Sequence, residues 1–165
     1  MTPEKSLGVV AGLLAWLAVK AACIAMAVWL DNAAPAFTAR ALNAYRTRGM
    51  RCFVLGVVNG VALMFLFAVF VNAQVKALGL VGIVILFVTV TAALVGYMLA
   101  YHDLGQRLRG DGAWSAQRAI AIGGAVSELA FMVPVLGQVF SIGVLFRGLG
   151  AVISAILSRR APTPE

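Results

Sequence analysis

Residues 119–157 read AIAIGGAVSELAFMVPVLGQVFSIGVLFRGLGAVISAIL, a run in which only Glu128 and Arg147 carry charge. Apolar runs of this length belong in a lipid bilayer. A carboxylate or guanidinium at membrane depth is costly to bury and calls for a partner. The run is broken by Pro134-Val135-Leu136-Gly137, which predicts two helices joined by a turn at Pro134 and Gly137. At the helical rise, Glu128 lies ~9 Å before that turn and Arg147 ~15 Å after it. A bent arginine spans the difference, so a Glu128–Arg147 pair across the hairpin is predicted. Its structural role would be to fix the pairing of two helices that otherwise lack directional contacts. Its functional role would be a proton or ion relay. Desolvation could also keep the Glu128 carboxyl protonated.

The rest of the chain agrees with that setting. Of 165 residues, 62% are hydrophobic and 12% charged, against about 25% charged in an ordinary soluble domain. This predicts an all-α polytopic membrane bundle, a single integral membrane domain over residues 1–165. The formal net charge is +7, but the basic residues flank apolar spans as orientation signals do. No aromatic-interleaved basic patch accompanies them, so no nucleic-acid partner is expected. Cys23 and Cys52 have neither metal-ligand nor disulfide spacing. His102, beside Asp103, reads as a polar interfacial residue. No metal and no cofactor are expected.

Five apolar spans are predicted, at about 7–30, 52–71, 78–101, 119–133 and 139–157. The first three reach the ~20 residues that cross the hydrocarbon core. The fourth is short. A full crossing is preferred for it, and a re-entrant pair with the fifth is the alternative. The first span is too long for a signal peptide and is interrupted by Lys20.

Arginines mark one side. Arg40, Arg46, Arg48 and Arg51 follow the first span, Arg107, Arg109 and Arg118 follow the third, and Arg159 and Arg160 follow the last. Only Lys5 and Lys76 mark the other. The positive-inside rule then predicts a bacterial cytoplasmic (inner) membrane protein with its N-terminus outside and its C-terminus cytoplasmic. Trp29, Tyr97, Tyr101 and Trp114 fall at the cytoplasmic ends, as aromatic anchors do, while Trp16 lies mid-span. Between the first two spans, Pro35 suits a first helical turn. Phe37, Ala41 and Tyr45 recur every four residues, with Arg40, Asn43, Arg46 and Thr47 among them. An interfacial helix over 35–47 is predicted, with Arg40, Arg46 and Arg48 near lipid headgroups. A plain solvated loop is the alternative.

Two further polar residues fall inside spans. Lys20 is too deep to reach either surface easily, and Glu128 or Asn59 could partner it. A tilted first span would bring it near an interface instead. Small residues at four-residue spacing (Gly8 and Gly12, Gly56 and Gly60, Gly150 and Ser154) predict close helix packing, internal or between copies. No nucleophile elbow, metal-binding histidine cluster or phosphate loop is present, so an enzyme is not expected.

Arg51–Gly56, Leu80-Val81-Gly82-Ile83, Val133–Gly137 and Gly148-Leu149-Gly150 together give an arginine-led span, glycine-containing turns and a final hairpin. Over about Tyr45–Arg160 this resembles the membrane domain of some proteins of the bactofilin, or polymer-forming cytoskeletal, group. The soluble β-helical part of that group has no counterpart in these residues. The resemblance therefore implies an anchoring or scaffold role and supplies no catalytic residues. The expected function is a non-enzymatic inner-membrane scaffold, anchor or accessory subunit, in a homo-oligomer or a larger membrane complex. A small oligomeric channel or transporter using Lys20, Glu128 and Arg147 is the alternative.

Overall fold

The structure is a computed structural model and describes residues 3–72, 76–110, 112 and 114–158, without the side chains of residues 3–7, 9 and 76. Arg159, Arg160, Asp111 and the side chains of Lys5, Leu7 and Lys76 lie outside the described residues. Among the described residues the fold is all-helical. The elements are α1 (Pro3–Ala33), α2 (Pro35–Thr47), α3 (Gly49–Asn72), α4 (Lys76–Arg109), α5 (Ala116–Phe131) and α6 (Leu136–Ser158).

Four stretches are long and apolar enough to cross a membrane: Val10–Ala33, Gly49–Asn72, Ala77–Arg109 and Leu136–Ser158. The chain is a membrane protein. The segment expected as a fourth crossing, 119–133, belongs to α5, which has only 16 residues.

Local chemistry sets the boundaries. Pro35 occupies the first turn of α2, where its missing N–H costs nothing. Ser115 caps α5 by accepting a hydrogen bond from the Arg118 backbone N–H. After α5, Pro134 breaks the ladder and Val135 takes the left-handed conformation at φ 64°, an uncommon place for a β-branched residue. Gly137 was the expected turn residue, but it sits inside α6 instead. There a Cβ would meet the Phe131 carbonyl oxygen at 2.5 Å and the Ala130 carbonyl oxygen at 2.7 Å. Its small size lets the two helices touch.

Helices α1, α4 and α6 run one way, and α3 and α5 run the other. Glycines set the register. Gly56 and Gly150 bring α3 and α6 into backbone contact, at Phe146 and Cys52 respectively. Gly96 faces Gly148 between α4 and α6, and Gly105 and Gly123 meet between α4 and α5. A side chain at any of these positions would collide with backbone of the neighbouring helix.

The core is confined to one half of the molecule, the half that carries α2. It forms two clusters, one around Met98, Tyr101, Ile120 and Val144, the other around Tyr45, Cys52, Leu99 and Val152. In the other half, α1, α3 and α4 project with exposed apolar faces, among them Val10, Leu13, Phe65, Val69, Ile83 and Phe87. The α5–α6 turn does not reach that far end. Phe131 packs on Tyr97 at 5.2 Å and on Phe140 at 5.9 Å between ring centroids. The turn therefore sits beside the middle of α4.

The register makes a testable claim. Gly150→Leu should destabilise the protein by on the order of 3 kcal/mol, because backbone rather than a flexible side chain blocks the new group. Gly143→Leu, on the same helix but facing open space, should change stability by less than about 0.5 kcal/mol. Thermal melting of both variants in detergent compares them, and equal losses would contradict this register.

Candidate functional site

Depth within the bundle decides which polar residues meet. Lys20 on α1, Tyr101 on α4 and Glu128 on α5 converge where these three helices pack. The Lys20 ammonium lies 2.7 Å from Glu128 Oε2, with the two side chains 28% and 9% exposed. The Tyr101 phenol donates a hydrogen bond to Glu128 Oε1. Oε2, although close to the ammonium, receives no directed hydrogen bond among the described residues. The Lys20 contact is thus an ion pair by proximity, while the directional bond to the carboxylate comes from Tyr101. The Lys20 ammonium also lies 5.6 Å from the Trp16 ring centroid, within cation–π range.

Two cavities flank this pair. One, of about 330 Å³, is almost wholly apolar and lies between α1 and α5, against Leu17, Ala21, Ile24 and Leu129. The other, of about 150 Å³, is mainly polar, and Tyr97, Gln138 and Ser141 line it together with Lys20 and Glu128. A polar cavity of that size has room for water. The arrangement can hold a proton or a small polar group beside a charged pair.

The predicted Glu128–Arg147 pair is not formed. Arg147 reaches α2 instead, where its Nε and Nη2 donate to the Tyr45 carbonyl at 3.2 and 2.6 Å. Its guanidinium also lies 4.2 Å from the Tyr45 ring centroid. The physical reason is the geometry of the hairpin. Its legs diverge below the turn, α5 toward α1 and α4, and α6 toward α2, α3 and another face of α4, so nearness in depth does not bring the two charges together. Burial pushes the Tyr45 phenol pKa up, with the Arg147 guanidinium pulling it the other way.

Asn59 stays outside the cluster. Its side chain donates to the Leu55 carbonyl of its own helix at 2.8 Å. Of the packing residues, Gly56, Gly60 and Gly150 lie against neighbouring helices, and Ser154 Oγ is 3.9 Å from Cys52 Sγ. Gly8 and Gly12 face open space. Arg40 and Arg48 are exposed at the α2 end. Arg46, expected at lipid headgroups, is instead tied to Asp103 by a 2.6 Å ion pair that Asp103 shares with Arg107 at 3.1 Å. The apolar face of α2 covers the bundle core, with Thr38, Ala41, Leu42 and Tyr45 buried.

Tyr101 and His102, read as interfacial, are fully buried. The His102 Nε2 faces the Ala27 carbonyl at 3.4 Å, and its Nδ1 lies 3.8 Å from Asp31. Both are covered because α4 continues to Arg109, with α1 and α5 packed along it. Sequence reasoning also missed Gln138 and Ser141. Their signal was weak: two polar residues in the first turns of α6, spaced to share one face.

The profile of a family described as Domain of unknown function (DUF8173) matches residues 2–160, and the chain belongs to that family. No curated protein and no solved structure matches it significantly.

Removing one member of a buried ion pair leaves the other uncompensated, a loss of about 3–5 kcal/mol where measured. Lys20 is partly exposed, so Lys20→Met should cost less than that, on the order of 2 kcal/mol. Lys20→Met combined with Glu128→Gln should recover most of the loss. Melting of the single and double variants forms the cycle, and additive losses would show that the two side chains do not interact.

Proposed function

We propose that this chain is a small, non-enzymatic integral membrane subunit that assembles laterally, through α1, with a second copy or another membrane protein. The observation that carries this is the outer half of α1. Every residue from Val10 to Val19 is exposed, and among the described residues nothing lies within 4 Å of a Cβ placed at Gly8 or Gly12. Helix association in lipid relies on small residues that let backbones approach, and this stripe packs against none of the described residues. The expected anchoring or scaffold role, and the resemblance to bactofilin-group membrane domains, belong to the same proposal.

The proposed setting is a bacterial cytoplasmic membrane, with α2 at the cytoplasmic face and the N-terminus outside. The arginine distribution supports it. Three helices, α1, α3 and α4, would cross fully. The α5–α6 hairpin would be re-entrant rather than two further crossings, because its turn sits beside the middle of α4. Residues 132–136 of the turn are exposed, and its backbone groups pair within the hairpin, with the Leu136 N–H donating to the Pro134 carbonyl and the Gly137 N–H to the Val133 carbonyl.

A second function is favoured by the polar cavity beside Glu128. A carboxylate, an ammonium and three further polar side chains around one cavity at membrane depth suit proton or ion movement.

Gly12→Leu tests the assembly reading without disturbing the monomer, since nothing among the described residues lies within 4 Å of the added carbon. The wild type should migrate as an oligomer or copurify with a partner in mild detergent, and the variant should separate from it. A wild type that is monomeric and unaccompanied would count against assembly. If that monomer also carried protons in liposomes, and Glu128→Gln abolished the flux, the relay would replace it.

A further inference from the structure

The α5–α6 hairpin is a V. Its legs touch at the turn, where Gly137 meets the end of α5, and then lean on different neighbours. Between them, against α4 and the end of α2, lies a cavity of about 260 Å³. Its lining is divided by chemistry. Arg107 and Arg147 line its charged part, near Tyr45 and Asp103, while Leu104, Phe131, Phe140 and Val144 make an apolar wall.

Charge is unbalanced here. Arg46 and Arg107 share the single carboxylate of Asp103. Arg147 has no carboxylate within 4 Å among the described residues, and only a backbone carbonyl and an aromatic face receive it. Three guanidinia therefore face one carboxylate, an excess of two positive charges. The Arg147 Nη1 makes no hydrogen bond within the described residues and remains available. Guanidinium groups match phosphate oxygens in geometry and charge.

We propose that this cavity binds one anionic phospholipid of the leaflet on which α2 lies. The phosphate sits between Arg107 and Arg147, and an acyl chain runs along Leu104, Phe140 and Val144 between the legs of the hairpin. Free phosphate would satisfy the arginines but leave the apolar wall empty, and a zwitterionic lipid would leave the excess charge in place. The site rests on the membrane embedding of the chain alone. It is independent of assembly through α1 and of the polar cavity beside Glu128, which lies on the other side of Phe131.

Native mass spectrometry of the full chain, delipidated in mild detergent and reloaded, tests this. The probes are phosphatidylglycerol, phosphatidylcholine and inorganic phosphate. One phosphatidylglycerol should be retained per chain, at least about tenfold more tightly than phosphatidylcholine, because the choline ammonium would bring a further positive charge to a site that already has an excess of guanidinium charge. Arg107→Gln removes a largely exposed side chain and leaves the Arg46–Asp103 pair, so the fold persists. It should weaken phosphatidylglycerol binding by about tenfold. Ala130→Leu, at an exposed position on the cavity wall, should weaken it without changing charge. Equal retention of the two lipids would overturn the proposal, as would retention unchanged in both variants. Inorganic phosphate that competes fully with the lipid would overturn the lipid assignment.

Discussion

Backbone-to-backbone contact at glycine is the constraint on which this structure depends. In lipid, apolar side chains gain little by leaving hydrocarbon for protein, so helices associate through close packing and polar contacts. Here α6 meets α3 at Gly56 and Gly150 and meets α4 at Gly96 and Gly148, while α5 meets α4 at Gly105 and Gly123. These contacts leave no freedom to slide. They fix α6 deep in the half of the bundle that holds α2, and they stop the α5–α6 turn beside the middle of α4. The far half is left to α1, α3 and α4, with their apolar faces bare.

Charge placement follows from that register. Because the legs of the hairpin diverge, Glu128 is delivered to α1 and Arg147 to α2. Glu128 then meets Lys20 and Tyr101, a polar contact that joins α1 to α4 and α5 in addition to those of His102 with Ala27 and Asp31. Arg147 holds the end of α2 through the Tyr45 carbonyl. Glu128 is paired with a cation and Arg147 is held by a carbonyl and a ring face, and each borders a cavity. One cavity is polar, and the other joins arginines to an apolar wall.

Much of the architecture is legible in the sequence because membrane helices announce themselves by length and apolarity. Pro35 marks the start of α2, and the Pro134 break marks the end of α5 even though Val135 and not Gly137 takes the turn conformation. The partners of the buried charges were harder to read. Depth along each helix follows from residue number, but azimuth does not. A Glu128–Arg147 pair satisfies the first and fails the second. Tyr101 and His102 sit where aromatic and polar residues favour the membrane surface. Only the continuation of α4 to Arg109, with α1 and α5 packed along it, buries them. The short length of the fourth apolar segment was the one trace of a half-height hairpin, and it is shared by ordinary tilted or displaced spans.

The glycine register is tested most directly by the depth of the hairpin turn. A nitroxide attached at Val133→Cys, in a chain with Cys23 and Cys52 replaced by alanine and reconstituted in nanodiscs, reports depth from its relative accessibility to oxygen and to a water-soluble nickel complex. A half-height hairpin predicts an oxygen-rich, nickel-poor site matching a label at Val61, in the middle of α3. A label at Val133 as open to nickel as one at Val71, at the end of α3, would place the turn at the far surface and contradict the register.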